Sequence, residues 1–316
     1  MTTLAPRGRE SVAMPRASAL PPELPESGFT VSRAKELGIA RSRLRAKDLT
    51  APFHGVRVVG NGMDVWSRAS AYSARMQPTQ FFSHSTAALL HGLRMPENFR
   101  EFSLHVTSLS PLRAPRGSGV TGHRSGGGTI VILRGLRVLD AVETWCQLST
   151  EFGLDDLVAM GDGLVSRKHP ATTIESLREA VDAYKGRGSR TLRTAMELVR
   201  PGTDSARETA LRLVVVRAGL PEPEPNGRIL NEYGAVIAHG DLVFRKYRTI
   251  LEYEGRQHAE SDRQFSIDIS RLDELMEDDW RVIRVDKYLL ARRATLIAKV
   301  TGALRKGGWT PGAPSR

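Results

Sequence analysis

A chain of 316 residues is longer than one hydrophobic core usually fills, so two or three domains are expected. With 40% apolar and 26% charged residues the balance is that of an ordinary globular protein, and no apolar run reaches the roughly 18 residues that span a bilayer. A single cysteine, Cys146, excludes an internal disulfide, and the N-terminus lacks the apolar stretch of a secretory signal, so a cytoplasmic protein is expected.

The formal charge is +11, unevenly spread. Residues 1–202 hold 27 basic and 18 acidic side chains, residues 203–300 hold 16 and 17, and the tail adds three cations. A basic half beside a carboxylate-rich one suits a protein that grips a polyanion with one part and does metal chemistry with another. Of the 46 basic residues 38 are arginine, as a GC-rich genome also gives, so charge alone does not settle the partner.

Residues 1–27 carry five prolines and no periodicity, and read as a disordered arm. Between 28 and 60 a short helix is predicted over Arg33 to Leu37, closed by Gly38, then a second over Ala40 to Leu49 with Arg41, Arg45 and Asp48 outward and Leu44 and Leu49 inward. Pro52 stops it, and His54 to Val59 reads as a hairpin strand. Helix, turn, helix and wing is an order suited to groove reading, with Arg41, Arg43, Arg45 and Arg57 as candidate nucleic-acid contacts. A small cap on the next domain, its arginines merely solvated, fits the pattern too. Gly38-Ile39, the Arg-rich second segment and His54-Gly55-Val56-Arg57 resemble the N-terminal winged helix of AbiEi-type antitoxins, which are DNA-binding repressors.

Residues 61–200 read as a central α+β region. A helix capped by Ser83 and ended by Gly92, strands at Phe102 to Val106 and Thr129 to Leu133, and helices at Asp140 to Ser149, Leu154 to Val165, Thr172 to Ala183 and Arg190 to Leu198 are predicted. Cys146 falls on a buried helix position, and Asp162, inside an apolar helix, reads as a hydrogen-bonded buried carboxylate. His84 and His91, seven apart and without a third ligand, read as a helix cap and a packed imidazole. Ser125-Gly126-Gly127-Gly128 precedes a strand and reads as a loop, not a phosphate cradle. Ser83 to Gly92 and Asp155-Asp156-Leu157 through Asp162-Gly163-Leu164 again resemble AbiEi-like proteins, which implies a nucleotidyltransferase toxin as partner.

The last region, 203–306, opens with a helix capped by Thr203 or Ser205 and ended by Gly219, with Glu208 near its start. Strands follow at Arg228 to Leu230, Val236 to Phe244 and Thr249 to Gly255, the last two as an antiparallel hairpin. Side chains alternate along a strand, so Glu252 and Glu254 share a face, and Asp241 opens onto the neighbouring strand. Three acidic oxygen donors converging in this way select a hard cation such as Mg²⁺. An amphipathic helix Asp262 to Glu277, a strand over Val282 to Val285 and a helix Tyr288 to Leu304 complete the region, and 307–316 is a tail.

Glu208, Gly240-Asp241, Leu251-Glu252-Tyr253-Glu254-Gly255, Gln257-His258, Asp268-Ile269-Ser270-Arg271 and Trp280 to Val285 resemble the very-short-patch-repair-like endonucleases of the PD-(D/E)XK superfamily. The resemblance implies an αβββαβ domain that cleaves phosphodiester bonds of DNA, with Mg²⁺ or Mn²⁺ on Asp241, Glu252 and Glu254, and Glu208 in support. His258 becomes the candidate general acid or base and Arg271 a phosphate contact. Glu254 stands where the superfamily has lysine, so it must bind metal or position water. The whole chain then reads as an α/β multi-domain endonuclease delivered to DNA by a winged helix. The alternative is a DNA-binding regulator or antitoxin whose nuclease-like domain does no catalysis. Oligomeric state is not legible.

Overall fold

The computed structural model describes residues 18–60, 64–100, 102–230, 233–254, 275 and 278–312. The protein is mixed α/β and divides into two compact units, and no helix among the described residues is long and apolar enough to cross a membrane. The first unit comprises the described parts of Met1–Phe82, Glu101–Gly127 and Ile132–Arg137, and the second those of Ser83–Arg100, Gly128–Val131 and Val138–Arg316. This division differs from the expected boundaries: the segment 28–60 shares a unit with later strands, and the central helices share one with the C-terminal region.

In the first unit β1 (Phe29–Thr30), β3 (Val56–Val59) and β2 (Leu49–Thr50) form a small antiparallel sheet in that spatial order. Helix α1 (Val31–Glu36) is capped by the Thr30 hydroxyl, which accepts from Arg33 N, and Gly38 follows with φ 77°. Leu24, Phe29, Ala34 and Leu44 make its core, so Leu24, predicted to lie in a disordered arm, belongs to the fold.

The helix expected over Ala40 to Leu49 is not formed. Only one 3-10 turn, Arg43–Arg45, stands there, because Ser42 provides no side-chain cap, Ala46 is extended (ψ 149°), and Leu49–Thr50 pairs with β3. Helix α2 (Val65–Ser73), capped by Asp64, leads to β4 (Gln80–Phe82), which pairs antiparallel with β5 (Leu104–Leu109). β5 pairs in parallel with β6 (Val120–Ser125), and the sheet continues beyond β4 through β8 (Leu136–Leu139) and β7 (Ile130–Leu133), whose residues 132–137 belong to this unit. Of these strands, β4, β6 and β8 were not expected from the sequence, and β5 begins two residues later than predicted.

The second unit holds the helices. α3 (His84–His91) ends on Gly92 in the left-handed region (φ 70°), α4 (Ala141–Leu148) is capped by Asp140, α5 (Leu154–Leu164), α6 (Ile174–Ala183) and α7 (Ser189–Leu198) follow close to their predicted spans. His84 and His91 are bonded separately, Nδ1 of the first to the Ser83 hydroxyl and Nε2 of the second to the Leu139 carbonyl at 2.7 Å. Trp145, Leu157, Met160, Leu177 and Leu192 fill the helical core, and Cys146 is buried beside them with its thiol pushed up to about 12 by burial.

Helix α8 (Ala206–Arg217), capped by Ser205, packs both on this core and on a four-stranded sheet. The sheet order is β12 (Arg281–Val285), β11 (Thr249–Tyr253), β10 (Val236–Phe244), β9 (Glu224–Leu230), with β11–β12 parallel and the rest antiparallel. One face buries Leu242, Phe244, Leu251, Ile283 and Val285 against α8 and α10 (Arg293–Lys306), which a break at Arg292 separates from α9 (Lys287–Ala291). The single helix predicted over Tyr288 to Leu304 is thus two. The other face buries Val243, Ile250 and Trp280 with Leu275. The helix expected over Asp262 to Glu277 lies, apart from Leu275, outside the described residues.

Candidate metal centre

Strand register decides whether the carboxylates can meet. Leu242 stands opposite Leu251 and Val243 opposite Ile250, and the paired register ends there, with Asp241 and Glu252 the next residues along the two strands. The parallel neighbour extends the row, because Glu252 and Arg284 are paired across β11 and β12. On the other flank Gly240 pairs with Gly227, which brings Asn226 beside Asp241. A Cβ at Gly240 would lie 2.5 Å from Cγ2 of Ile250, so only glycine lets the strands close at this point.

The row is bonded in detail. Asp241 Oδ2 accepts from the Tyr253 backbone N–H at 2.7 Å, so this carboxylate fastens the end of β11. Glu208 comes down from the first turn of α8 and is buried. Its Oε2 accepts from Asn226 Nδ2 and from Asp204 N, each at 2.8 Å. Burial, and secondarily the charge of Asp241, raise the Glu208 pKa above the usual glutamate value, while the Asp204 N–H pulls the other way.

Glu254 is held by an ion pair with Arg284 at 3.1 Å, both about half exposed. The structure therefore brings Glu208 near Asp241, sets Glu252 at the next position of the hairpin and ties Glu254 to a cation. Among the described residues, these four carboxylates include no set of three with ligand oxygens within 4.8 Å of one another. His258 and Arg271 lie outside the described residues, as does Gln257.

Sequence reasoning missed Arg284 and Asn226. Asn226 was missed because β9, expected from Arg228, begins at Glu224, and Arg284 joins the row through a parallel pairing that no local pattern announces.

The candidate nucleic-acid contacts divide sharply. Arg41 and Arg45 are exposed. Arg43 is spent on the fold: its guanidinium makes two bonds to the Asp48 carboxylate, at 2.9 and 2.7 Å, and Nε donates to the Ser18 carbonyl. Arg57 likewise donates to the Leu44 and Val56 carbonyls.

Comparison with family models, curated proteins and solved structures gives no match to this chain.

Proposed function

We propose that the second unit is a metal-dependent nuclease centre hydrolysing phosphodiester bonds of DNA, in a domain of the PD-(D/E)XK kind. The observation that carries this reading is the polar row Asn226, Asp241, Glu252 and Arg284 crossing four strands, with Glu208 set on it from α8. The described order α8, β9, β10, β11, β12 agrees with an αβββαβ plan whose second helix would be Asp262 to Glu277.

The donor set suits a hard divalent ion. Asp241, Glu252 and Glu208 offer carboxylate oxygens only, and burial, with a smaller contribution from the Asp241 charge, raises the Glu208 pKa. Mg²⁺ or Mn²⁺ held there would supply charge neutralisation at the phosphate and acidify an attacking water.

The chain's own residues do the rest. The Tyr253 N–H fixes Asp241, Asn226 and the Asp204 N–H fix Glu208, and Arg284 provides the positive charge that Glu254 cannot. A guanidinium next to Glu252 is placed to hold a phosphate oxygen as negative charge grows on it. Incubation of the full chain with supercoiled plasmid and Mg²⁺ or Mn²⁺ should give nicked product, lost in Asp241→Ala and in Glu252→Ala. Intact plasmid across metals, salts and substrates would overturn the reading.

A second reading is a DNA-binding regulator with a non-catalytic nuclease-like domain. Two contacts favour it: Asp241 is engaged by Tyr253, and Glu254 by Arg284. It calls for salt-sensitive promoter binding that Asp241→Ala leaves unchanged and Arg41→Ala with Arg45→Ala removes.

A further inference from the structure

The first unit contains a polar sheet face that the nuclease reading does not use. Along β5 the residues Ser103, His105 and Thr107 alternate with Leu104 and Val106, and along β6 Thr121, His123 and Ser125 alternate with Gly122 and Arg124. The parallel register pairs His105 with Thr121 and Thr107 with His123, so hydroxyls and imidazoles share one face while Leu104 and Val106 are fully buried on the other. The Ser103 and Thr121 hydroxyls are 2.7 Å apart. Both histidines are partly buried.

The two imidazoles are stacked, with centroids 5.1 Å apart and planes inclined by 26°, and His105 Nδ1 lies 3.1 Å from His123 Nε2. Two nitrogens at that distance can share one N–H. They can equally be neighbouring ligands of one ion: metal–nitrogen bonds of about 2.0–2.1 Å at angles between octahedral and tetrahedral put the nitrogens about 2.9–3.4 Å apart. The backbone thus presets the bite of a chelate.

We propose that His105 and His123 form a binding site for a divalent transition-metal ion, with Zn²⁺ as the representative, distinct from the carboxylate centre of the other unit. Imidazole nitrogen selects Zn²⁺, Cu²⁺ or Ni²⁺ over Mg²⁺, the reverse of the preference at Asp241 and Glu252. On binding, the proton between the rings moves through solvent to the far nitrogen of its own ring, so both imidazoles ligate as neutral rings, with water completing the ion's shell.

Calorimetric titration of ZnCl2 into the full chain, in excess MgCl2 to occupy hard-oxygen sites, should show one equivalent bound. His105→Gln and His123→Gln, which retain hydrogen-bonding capacity, should each weaken binding more than about tenfold. Asp241→Asn should leave it unchanged, so the outcome is independent of nuclease activity. Because either histidine variant could misfold, wild-type protein is also loaded with Cu²⁺ and examined by electron paramagnetic resonance, where coupling to imidazole nitrogen is expected. Absence of a bound equivalent, binding indifferent to both substitutions in folded variants, or a copper spectrum without nitrogen coupling overturns the proposal.

Discussion

Glu252 of β11 and Arg284 of β12 are direct partners in a parallel ladder, and the same Arg284 grips Glu254 one pleat further along. Arg284 is thus the ladder partner of one acid of the Glu-x-Glu pair and the ion-pair partner of the other. In the nuclease reading it does the work expected of a lysine at position 254. Arg284→Ala should lower plasmid nicking about 10²-fold, the usual cost of deleting one donor to a developing anion. Adding Glu254→Lys to that variant should recover part of the loss by returning a cation to the same face. Unchanged nicking rates in Arg284→Ala would remove the residue from the mechanism.

Glu208 makes a different prediction, about stability. Its folded-state pKa lies above the ordinary glutamate value because it is buried beside Asp241. Between those two pKa values the folded chain keeps a proton that the unfolded chain releases, so this group's contribution to stability falls as pH rises through that window. Glu208→Gln still offers an oxygen to Asn226 and Asp204 but carries no charge. It should melt a few degrees higher than wild type at pH 8 without metal, with little difference near pH 4. Mg²⁺ should raise the wild-type melting point through binding to the folded state, and should do so less in the variant. Calorimetric melts at the two pH values, with and without Mg²⁺, check all of this.

These residues show how far the sequence could be read. Helices α4 to α7 were legible from their apolar stripes, and α4 and α6 also from their starts, with Asp140 and Thr173 accepting from first-turn amides. The hairpin of β10 and β11 was legible because its register follows from the strand pattern and a short turn. Arg284 was not, since parallel partners come from distant parts of the chain. The strand β6 was missed because its alternating residues are polar, and with it the pairing of His105 and His123. The helix predicted over Ala40 to Leu49 failed where strand pairing by Leu49 and Thr50 outweighed a weak helical preference.

That failure separates the N-terminal arginines by role. Arg41 and Arg45 are exposed, whereas Arg43 is bonded to Asp48 and Ser18. For binding of a short DNA duplex followed by fluorescence anisotropy over a salt series, Arg41→Ala and Arg45→Ala should each reduce the slope of log affinity against log salt by about 0.9, with no change in melting temperature. Arg43→Ala should lower the melting temperature instead. Equal salt slopes for wild type and the Arg41/Arg45 double variant would place the polyanion surface elsewhere.

Asp162 and Arg212 bind the helical layer to the sheet domain, and both are fully buried. Asp162 Oδ2 accepts from Arg212 at 2.9 Å and from the Thr209 hydroxyl at 2.8 Å, Oδ1 accepts from Arg200 N, and Arg212 also donates to the Leu198 carbonyl. Burial raises the Asp162 pKa against the pull of the Arg212 charge. Arg212→Met removes that pull and leaves a carboxylate buried without its cation, at a cost of about 3–5 kcal/mol in urea unfolding near pH 8. Protonation relieves the uncompensated charge, so the deficit should shrink at pH 5, the direction required of an acid whose folded pKa is raised. Asp162→Leu with Arg212→Met should lose less than the single Arg212 variant, because an apolar pair leaves no charge unpaired. A single variant that unfolds like wild type at pH 8 would mean that the Thr209 and Arg200 bonds alone carry the carboxylate.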